Sequence, residues 1–293
     1  MKIKSLFLAG LLVTSFIPCL TSCTGSAPKA PQKQVGLQLY SIRDDMGKDA
    51  KSSIDSVANI GYSFVEAANY GDGKFYGMTP AEFSQYLQSK NLVFLSSHIG
   101  RDVPTEENYE ETMAWWDQAV ADHKAAGVKY IVQPWMSNVG YDSLEGLKRY
   151  CDYFNAVGEK CNAAGIKFGY HNHSGEFKEI DGQVIYDFML QNTDPSKVFF
   201  EMDVYWATKG GVVPTAYFEK YPGRFELLHI KDVKEIGASG EMNFEPIYKD
   251  AAKAGMKYAI IEQEAFDYPS FQSIRKSLEF LQNAPYVNVD YSK

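Results

Sequence analysis

The sequence predicts a single-domain α/β protein, a (β/α)8 barrel, on three observations. Eight short apolar, β-rich runs begin near Val35, Ser63, Leu92, Val128, Lys167, Val198, Phe225 and Lys257, roughly 27 to 39 residues apart, the length of one strand, one helix and two loops. Four of them follow the same junction, a helix tail and then a glycine: Asn59-Ile60-Gly61-Tyr62, Ala125-Ala126-Gly127-Val128, Ala163-Ala164-Gly165-Ile166 and Lys253-Ala254-Gly255-Met256. Glycine just past a helix supplies the left-handed cap that turns the chain into the next strand. The first run leads into Gln38-Leu39-Tyr40-Ser41-Ile42-Arg43 and not into a glycine-rich nucleotide loop, which argues against an open doubly wound sheet.

Ahead of the first strand stands an address. Lys2 and Lys4 precede the apolar run 6–20, too short for a spanning helix, and together they form the n-region and h-region of a secretory signal. Its end, Leu20-Thr21-Ser22-Cys23, resembles the lipobox of bacterial lipoproteins. That resemblance implies a signal peptide over residues 1–22, a lipid anchor on Cys23 as the sole membrane attachment, and a place in the cell envelope facing the periplasm. Residues 23–34, rich in Gly, Pro, Ser and Lys, read as a flexible tether, and the barrel is expected over 35–293. Composition agrees with a globular body, at 45% hydrophobic and 23% charged. The formal charge of −8 becomes −10 without Lys2 and Lys4; so acidic a surface repels a phosphate backbone, and no nucleic-acid partner is expected.

Between the strands, Thr79-Pro80 reads as a cap followed by proline in the first turn, 109–126 and 144–164 carry apolar residues at helical spacing, and Pro214 and Pro269 open helices. Cys151 and Cys161 share one of these helices. Ten residues at a rise of about 1.5 Å place them about 15 Å apart, beyond the reach of a disulfide, so both are expected as free thiols. His123 is expected on a helix surface, and the adjacent Trp115 and Trp116 to face different ways while packing the outside of the barrel.

Chemistry in such a barrel sits at the C-terminal ends of the strands. There the sequence offers Glu66 on the second strand, His98 on the third, Gln133 and Trp135 on the fourth, and His171 with His173 on the fifth. Glu201 with Asp203, His229 with Lys231, and Glu262 with Glu264 complete the circuit on the sixth to eighth. Each pair is two residues apart and so shares a strand face. Imidazoles and carboxylates around one axis form a mixed N/O donor set suited to one divalent ion, Mn, Zn, Co, Fe or Mg, because buried charges near the axis are costly unless paired or metal-bound. Glu66 either reaches the same cavity or caps a loop.

Several motifs are together similar to the sugar phosphate isomerase/epimerase family, the xylose isomerase-like TIM barrels. They are Gly36-Leu37-Gln38-Leu39-Tyr40-Ser41, Tyr170-His171-Asn172-His173 with Glu176-Phe177, Asp203-Val204-Tyr205-Trp206 with Gly210-Gly211, His229-Ile230-Lys231-Asp232, and Glu262-Gln263-Glu264. The resemblance runs from 35 to about 281. It implies a divalent metal held by a glutamate, an aspartate, a histidine and a glutamate on the fifth to eighth strands; the last three map onto Asp203, His229 and Glu262. His171 stands where the first glutamate is usual, so either His171 ligates or Glu176 reaches in from the following loop. His173 matches a position that some dehydratases of the superfamily use as base, and a similarity to inosose dehydratases points the same way.

A sugar carbonyl and its neighbouring hydroxyl chelated by such a metal would make the adjacent C–H acidic, and an enediolate would follow. Returning the proton elsewhere is isomerisation or epimerisation; expelling a β-substituent is dehydration or cleavage of a keto-glycoside. The catalytic candidates are His173 as base, Glu264 among the next candidates for that role, and Lys231, which either neutralises the enediolate, binds a hydroxyl or forms a salt bridge at the rim. Substrate-binding candidates are His98, Glu66, Glu176, Trp135 and Tyr205, the aromatic pair either stacking on a sugar face or packing the rim with Tyr40 and Trp206. Export and the lack of a Lys/Arg cluster at the strand ends favour an unphosphorylated small carbohydrate. A lyase and a non-catalytic sugar-binding lipoprotein are the alternatives.

Overall fold

The computed structural model describes residues 31–293; the expected signal peptide, Cys23 and the tether up to residue 30 lie outside the described residues. The glycine junctions form as their spacing requires. Gly61, Gly127, Gly165 and Gly255 sit at φ of 108°, 77°, 80° and 80°, a backbone region where a Cβ is disfavoured, and each returns a helix to the sheet. Thr79 and Glu82 close a reciprocal capping box on the helix Pro80–Ser89, satisfying two backbone donors that would otherwise have no partner. Pro214 opens the helix Pro214–Lys220, whereas Pro269 is itself the cap of Ser270–Asn283.

Eight parallel strands close into one barrel in sequence order: β1 Gly36–Gln38, β2 Phe64–Ala67, β3 Val93–His98, β4 Tyr130–Gln133, β5 Lys167–His171, β6 Val198–Asp203, β7 Leu227–Ile230 and β8 Tyr258–Ile261. Each begins within two residues of its expected start. An apolar plug fills the interior, built from Phe64, Leu95, Tyr130, Val132, Phe199, Leu227 and Ile260. Gly36 and Gly169 make room for it, since a Cβ on either would lie 2.1 Å from the Phe64 ring or 2.6 Å from the Phe199 ring. Strand alternation then fixes what lies above: two residues past Phe199, Leu227 and Ile260 come Glu201, His229 and Glu262. Two small hairpins, Tyr70–Gly71 with Lys74–Phe75 and Glu179–Ile180 with Gln183–Val184, follow β2 and β5.

Two expectations change in detail and two hold. Residues 33 and 34, expected in the tether, are bound to the barrel: Gln34 N–H donates to the Val289 carbonyl at 2.8 Å and Lys33 N–H to Gln282 at 2.9 Å. Cys151 and Cys161 are free, as expected, in the helix Leu144–Ala163, and burial pushes both thiols up to about 12. His123 is not on a surface: the rings of Tyr70 and Phe75, brought over by the first hairpin, stand 4.9 and 4.8 Å away and leave it fully buried. Trp116 is buried against Phe168, with Trp115 partly buried beside it, so the pair does pack the outside of the sheet.

The buried His123 makes a pH-dependent contribution. Its ring meets the Ala119 carbonyl through Nδ1 at 2.6 Å, Nε2 has no partner, and burial holds its pKa at about 4 against 6.5 in the open. Between those values the unfolded chain binds the proton and the folded one does not, so stability is lost as pH falls from about 6.5 to about 4. The difference in unfolding free energy between the protein and His123→Leu should therefore shrink by up to roughly 3 kcal/mol over that window. Denaturant titrations of both at matched pH values check this; a difference that does not vary with pH would refute it.

Candidate metal centre and its cavity

Above the apolar plug the strands deliver two buried rings of polar side chains. In the upper ring, ligand atoms of His171 (end of β5), Asp203 (end of β6), His229 (β7) and Glu262 (just past β8) all lie within 4.8 Å of one another. Asp203 spends one carboxylate oxygen on capping the short helix Val204–Lys209, accepting from Trp206 N–H at 2.8 Å, and its other oxygen has no partner. Both His171 ring nitrogens and His229 Nδ1 are likewise buried without partners. The nearest pairs are 3.7 Å apart (His171 Nε2 to Asp203) and 3.4 Å (His229 Nδ1 to Glu262). Asn172 ties the end of β5 to β6 through both Asp203 backbone groups, at 3.1 and 3.3 Å.

The lower ring joins Glu66, His98, Glu201 and, again, His229. Here contacts are short: Glu66 to His229 Nε2 at 2.7 Å, His98 Nε2 to Glu201 at 2.6 Å and to Glu66 at 3.0 Å. Gln38 on β1 donates to Glu66 at 2.8 Å. The rings of His98 and His229 stack at 5.2 Å and 15°.

Charge is distributed unevenly between the rings. Burial lifts the Asp203 carboxyl to about 7, with Lys231 opposing, and burial together with neighbouring Glu66 lifts Glu201 to about 7. Burial works against a charge on His98, yet Glu66 and Glu201 carry it up to about 9. His171 is held well below the usual imidazole range by burial and by His229, His173 and His98 around it. A neutral His171 with unpaired nitrogens beside an unpaired carboxylate oxygen is a ligand set without a partner among protein atoms. Two imidazoles and two carboxylates fit a divalent ion, which would supply a Lewis acid to a bound carbonyl.

The upper ring opens into a cavity of about 380 Å³ walled by His98, His171, His173, Glu262 and Glu264, with Tyr40 and Trp135 exposed in its lining. Other sequence candidates lie elsewhere. Glu66 is buried beneath this lining, and Glu176 does not reach the ring: it accepts from the hydroxyls of Tyr141 and Tyr170 at 2.7 and 2.6 Å and from His173 N–H at 3.0 Å. Lys231 bridges Glu262 and Glu264 at 3.1 and 2.9 Å, 5.2 Å over the Trp206 ring. Tyr205 packs on Trp206 and under Lys209, outside the cavity lining. Gln38 received no role of its own from the sequence, and Glu201, placed on the inner face by period-two spacing from Asp203, was read there only as one of the strand-end donors and not as a partner of His98.

Comparison with known proteins agrees with this architecture. The model for the xylose isomerase-like TIM barrel matches residues 54–284. The chain belongs to that family. It is 24% identical over 253 residues to inosose dehydratase of Lacticaseibacillus casei, covering 80% of each chain. Inosose dehydratase of Geobacillus kaustophilus is 32% identical over 198 residues, 62% of this chain and 61% of that one. A solved sugar phosphate isomerase/epimerase from Parabacteroides distasonis is 35% identical and superposes with a TM-score of 0.83, over 89% of this chain and 98% of that one.

Asp203→Asn keeps the shape of the side chain and removes an anionic donor. It should lower metal affinity by at least about tenfold. Elemental analysis after dialysis against limiting metal checks this, and undiminished metal in the variant would remove Asp203 from the ligand set.

Proposed function

We propose that this xylose isomerase-like barrel is a divalent-metal-dependent enzyme that takes a proton from carbon beside the carbonyl of an unphosphorylated sugar, keto-sugar or keto-glycoside, an isomerase/epimerase-type reaction. The observation that carries the proposal is the position of His173. Its ring centre is 5.0 Å from that of His171, on the cavity wall beside the open donor set, and its backbone is anchored by Glu176. Burial lowers its pKa, so at neutral pH it is an imidazole with a lone pair, ready to accept a proton.

The remaining residues divide the work. Glu264 stands on the same wall, and Lys231 holds it together with Glu262, so a positive charge lies close to where enediolate charge would develop. Tyr40 and Trp135 offer flat apolar faces to the C–H side of a sugar ring. Among the described residues no Lys or Arg lines the cavity, and Lys231, buried beside it, is taken up by two carboxylates, which supports a substrate without phosphate.

A second reading, elimination of a β-substituent, is supported by the inosose dehydratase relatives and by two proton-carrying groups on one wall. In it His173 takes the proton from carbon and, as the imidazolium so formed, hands it on to the leaving oxygen, with Glu264 in the same cavity lining. We also place the enzyme in the cell envelope on a lipid at Cys23, on the strength of Leu20-Thr21-Ser22-Cys23; fatty-acid labelling should vanish in Cys23→Ala, and labelling that persists would refute the anchor.

The decisive variant is His173→Asn. It should keep metal and fold while losing turnover and solvent-deuterium incorporation together, by about 10²- to 10⁴-fold. Keto-sugars and keto-glycosides in deuterated buffer provide the assay: wild-type exchange accompanied by an isomeric or epimeric product identifies an isomerase or epimerase, and loss of a substituent identifies a lyase. Exchange at the wild-type rate in His173→Asn would move the base to another residue, and binding without exchange in the wild type would leave a sugar-binding protein.

A further inference from the structure

The two polar rings share His229 and differ in one measurable respect. The closest imidazole–carboxylate contacts in the lower ring are 2.6 and 2.7 Å, the length of hydrogen bonds between a ring N–H and a carboxylate, whereas those in the upper ring are 3.4 and 3.7 Å with nitrogens unpartnered. N–H groups already join the imidazoles of the lower ring to carboxylates; the imidazole nitrogens of the upper ring lack what would join them.

We propose that Glu66 is a positioning residue for the metal centre: by accepting the Nε2–H of His229 it fixes that imidazole in the tautomer whose Nδ1 lone pair points into the upper ring, and the barrel accordingly holds one cation and not two. The proposal rests on the metal reading of the upper ring. A histidine that binds a cation does so as a neutral imidazole with one N–H, and a carboxylate at 2.7 Å offers only lone pairs, so with a cation in the upper ring the hydrogen stands on Nε2 and the lone pair on Nδ1. Nδ1 is the nitrogen that faces Glu262 and has no hydrogen-bond partner.

Glu66 is itself held in place. Tyr40 N–H can only donate, and it meets Gln38 Oε1 at 2.9 Å, which turns the amide Nε2 of Gln38 toward Glu66 at 2.8 Å. His98 Nε2, hydrogen-bonded to Glu201 at 2.6 Å, lies 3.0 Å from the same Glu66 oxygen, and its ring lies parallel to His229. A backbone amide just past β1 thus sets an amide side chain, which sets a carboxylate on β2, which sets an imidazole on β7. Outer partners of this kind govern both ring orientation and basicity of a metal-binding histidine, and their loss typically costs about 10- to 100-fold in affinity.

The test has two arms. In the first, Zn or Co affinity is measured by chelator competition on the full chain and on Glu66→Gln. Glu66→Gln should bind about 10- to 100-fold more weakly at one ion per chain, with an altered visible Co(II) spectrum, because a carboxamide holds the Nε2–H less firmly. The second arm uses the unmutated protein loaded with ¹¹³Cd and carrying ¹⁵N-histidine: His229 should couple to cadmium through Nδ1 while Nε2 keeps its proton. Coupling through Nε2, wild-type affinity with an unchanged Co(II) spectrum in Glu66→Gln, or two ions per chain with the second among Glu66, His98 and Glu201 would each overturn the positioning role while leaving the metal centre standing. A wild-type chain that binds no divalent ion would overturn both.

Discussion

The architecture turns on the cost of placing carboxylates on the axis of a closed barrel. Glu66, Glu201, Asp203 and Glu262 are all buried there, and among the described residues Lys231 is the only buried lysine with them. An isolated carboxylate in such a place would cost several kcal/mol in desolvation. Each must therefore have a proton, a donor or a cation within reach. The lower ring does so largely by itself: two imidazoles and the Gln38 amide serve one oxygen each of Glu66 and Glu201. In the upper ring the imidazole nitrogens as well as an Asp203 oxygen go unpartnered, and that makes it a candidate site.

Three depths follow from one two-residue ladder. Along β6 the inward side chains are Phe199, Glu201 and Asp203; along β7 Leu227, His229 and then Lys231; along β8 Ile260, then Glu262 and Glu264. The plug excludes water from below, the lower ring orients, and the upper ring meets the cavity. A rigid parallel sheet can hold side chains on neighbouring strands to the tolerances a metal requires, since ladder hydrogen bonds fix their positions. Gly36 and Gly169 belong to the same design, because the plug rings that they admit are the floor on which the polar rings stand.

Most of this was legible in the sequence because it depends on short-range periodicity. Helix, glycine, strand and a stride of two located the barrel and put His171, Asp203, His229 and Glu262 at strand ends. Depth was not legible. Glu201 and Asp203 look equivalent in a strand pattern, yet one faces the lower ring and the other the upper; β5 and β6 pair Glu201 with His171, while the His171 ring turns toward Asp203. Glu66 looked like a cavity residue for the same reason. Burial of His123 was hidden by a cover that comes from far away in the chain, the hairpin turning at Asp72-Gly73. That turn and its counterpart Asp181-Gly182 were visible Asp-Gly signals, but flanking strands of two residues give no alternation to read.

Cavity size does not identify the working end of the molecule. A larger cavity, about 610 Å³, lies at the opposite end around Gly61, Lys90, Lys129 and Tyr258. Its charged groups are already served: Lys90 pairs with Asp55 at 2.7 Å with both side chains about a third or more in solvent, and Lys129 reaches the Tyr258 hydroxyl at 3.2 Å. A ligand arriving there would displace water from groups that water suits well. At the strand C-termini the desolvation has been done during folding, and imidazole nitrogens and carboxylate oxygens remain buried with no partner. Electrostatic interactions made there are strong because water is absent, and they need little reorganisation because the lower ring already holds the ligands in place. The smaller cavity therefore has the stronger claim to chemistry.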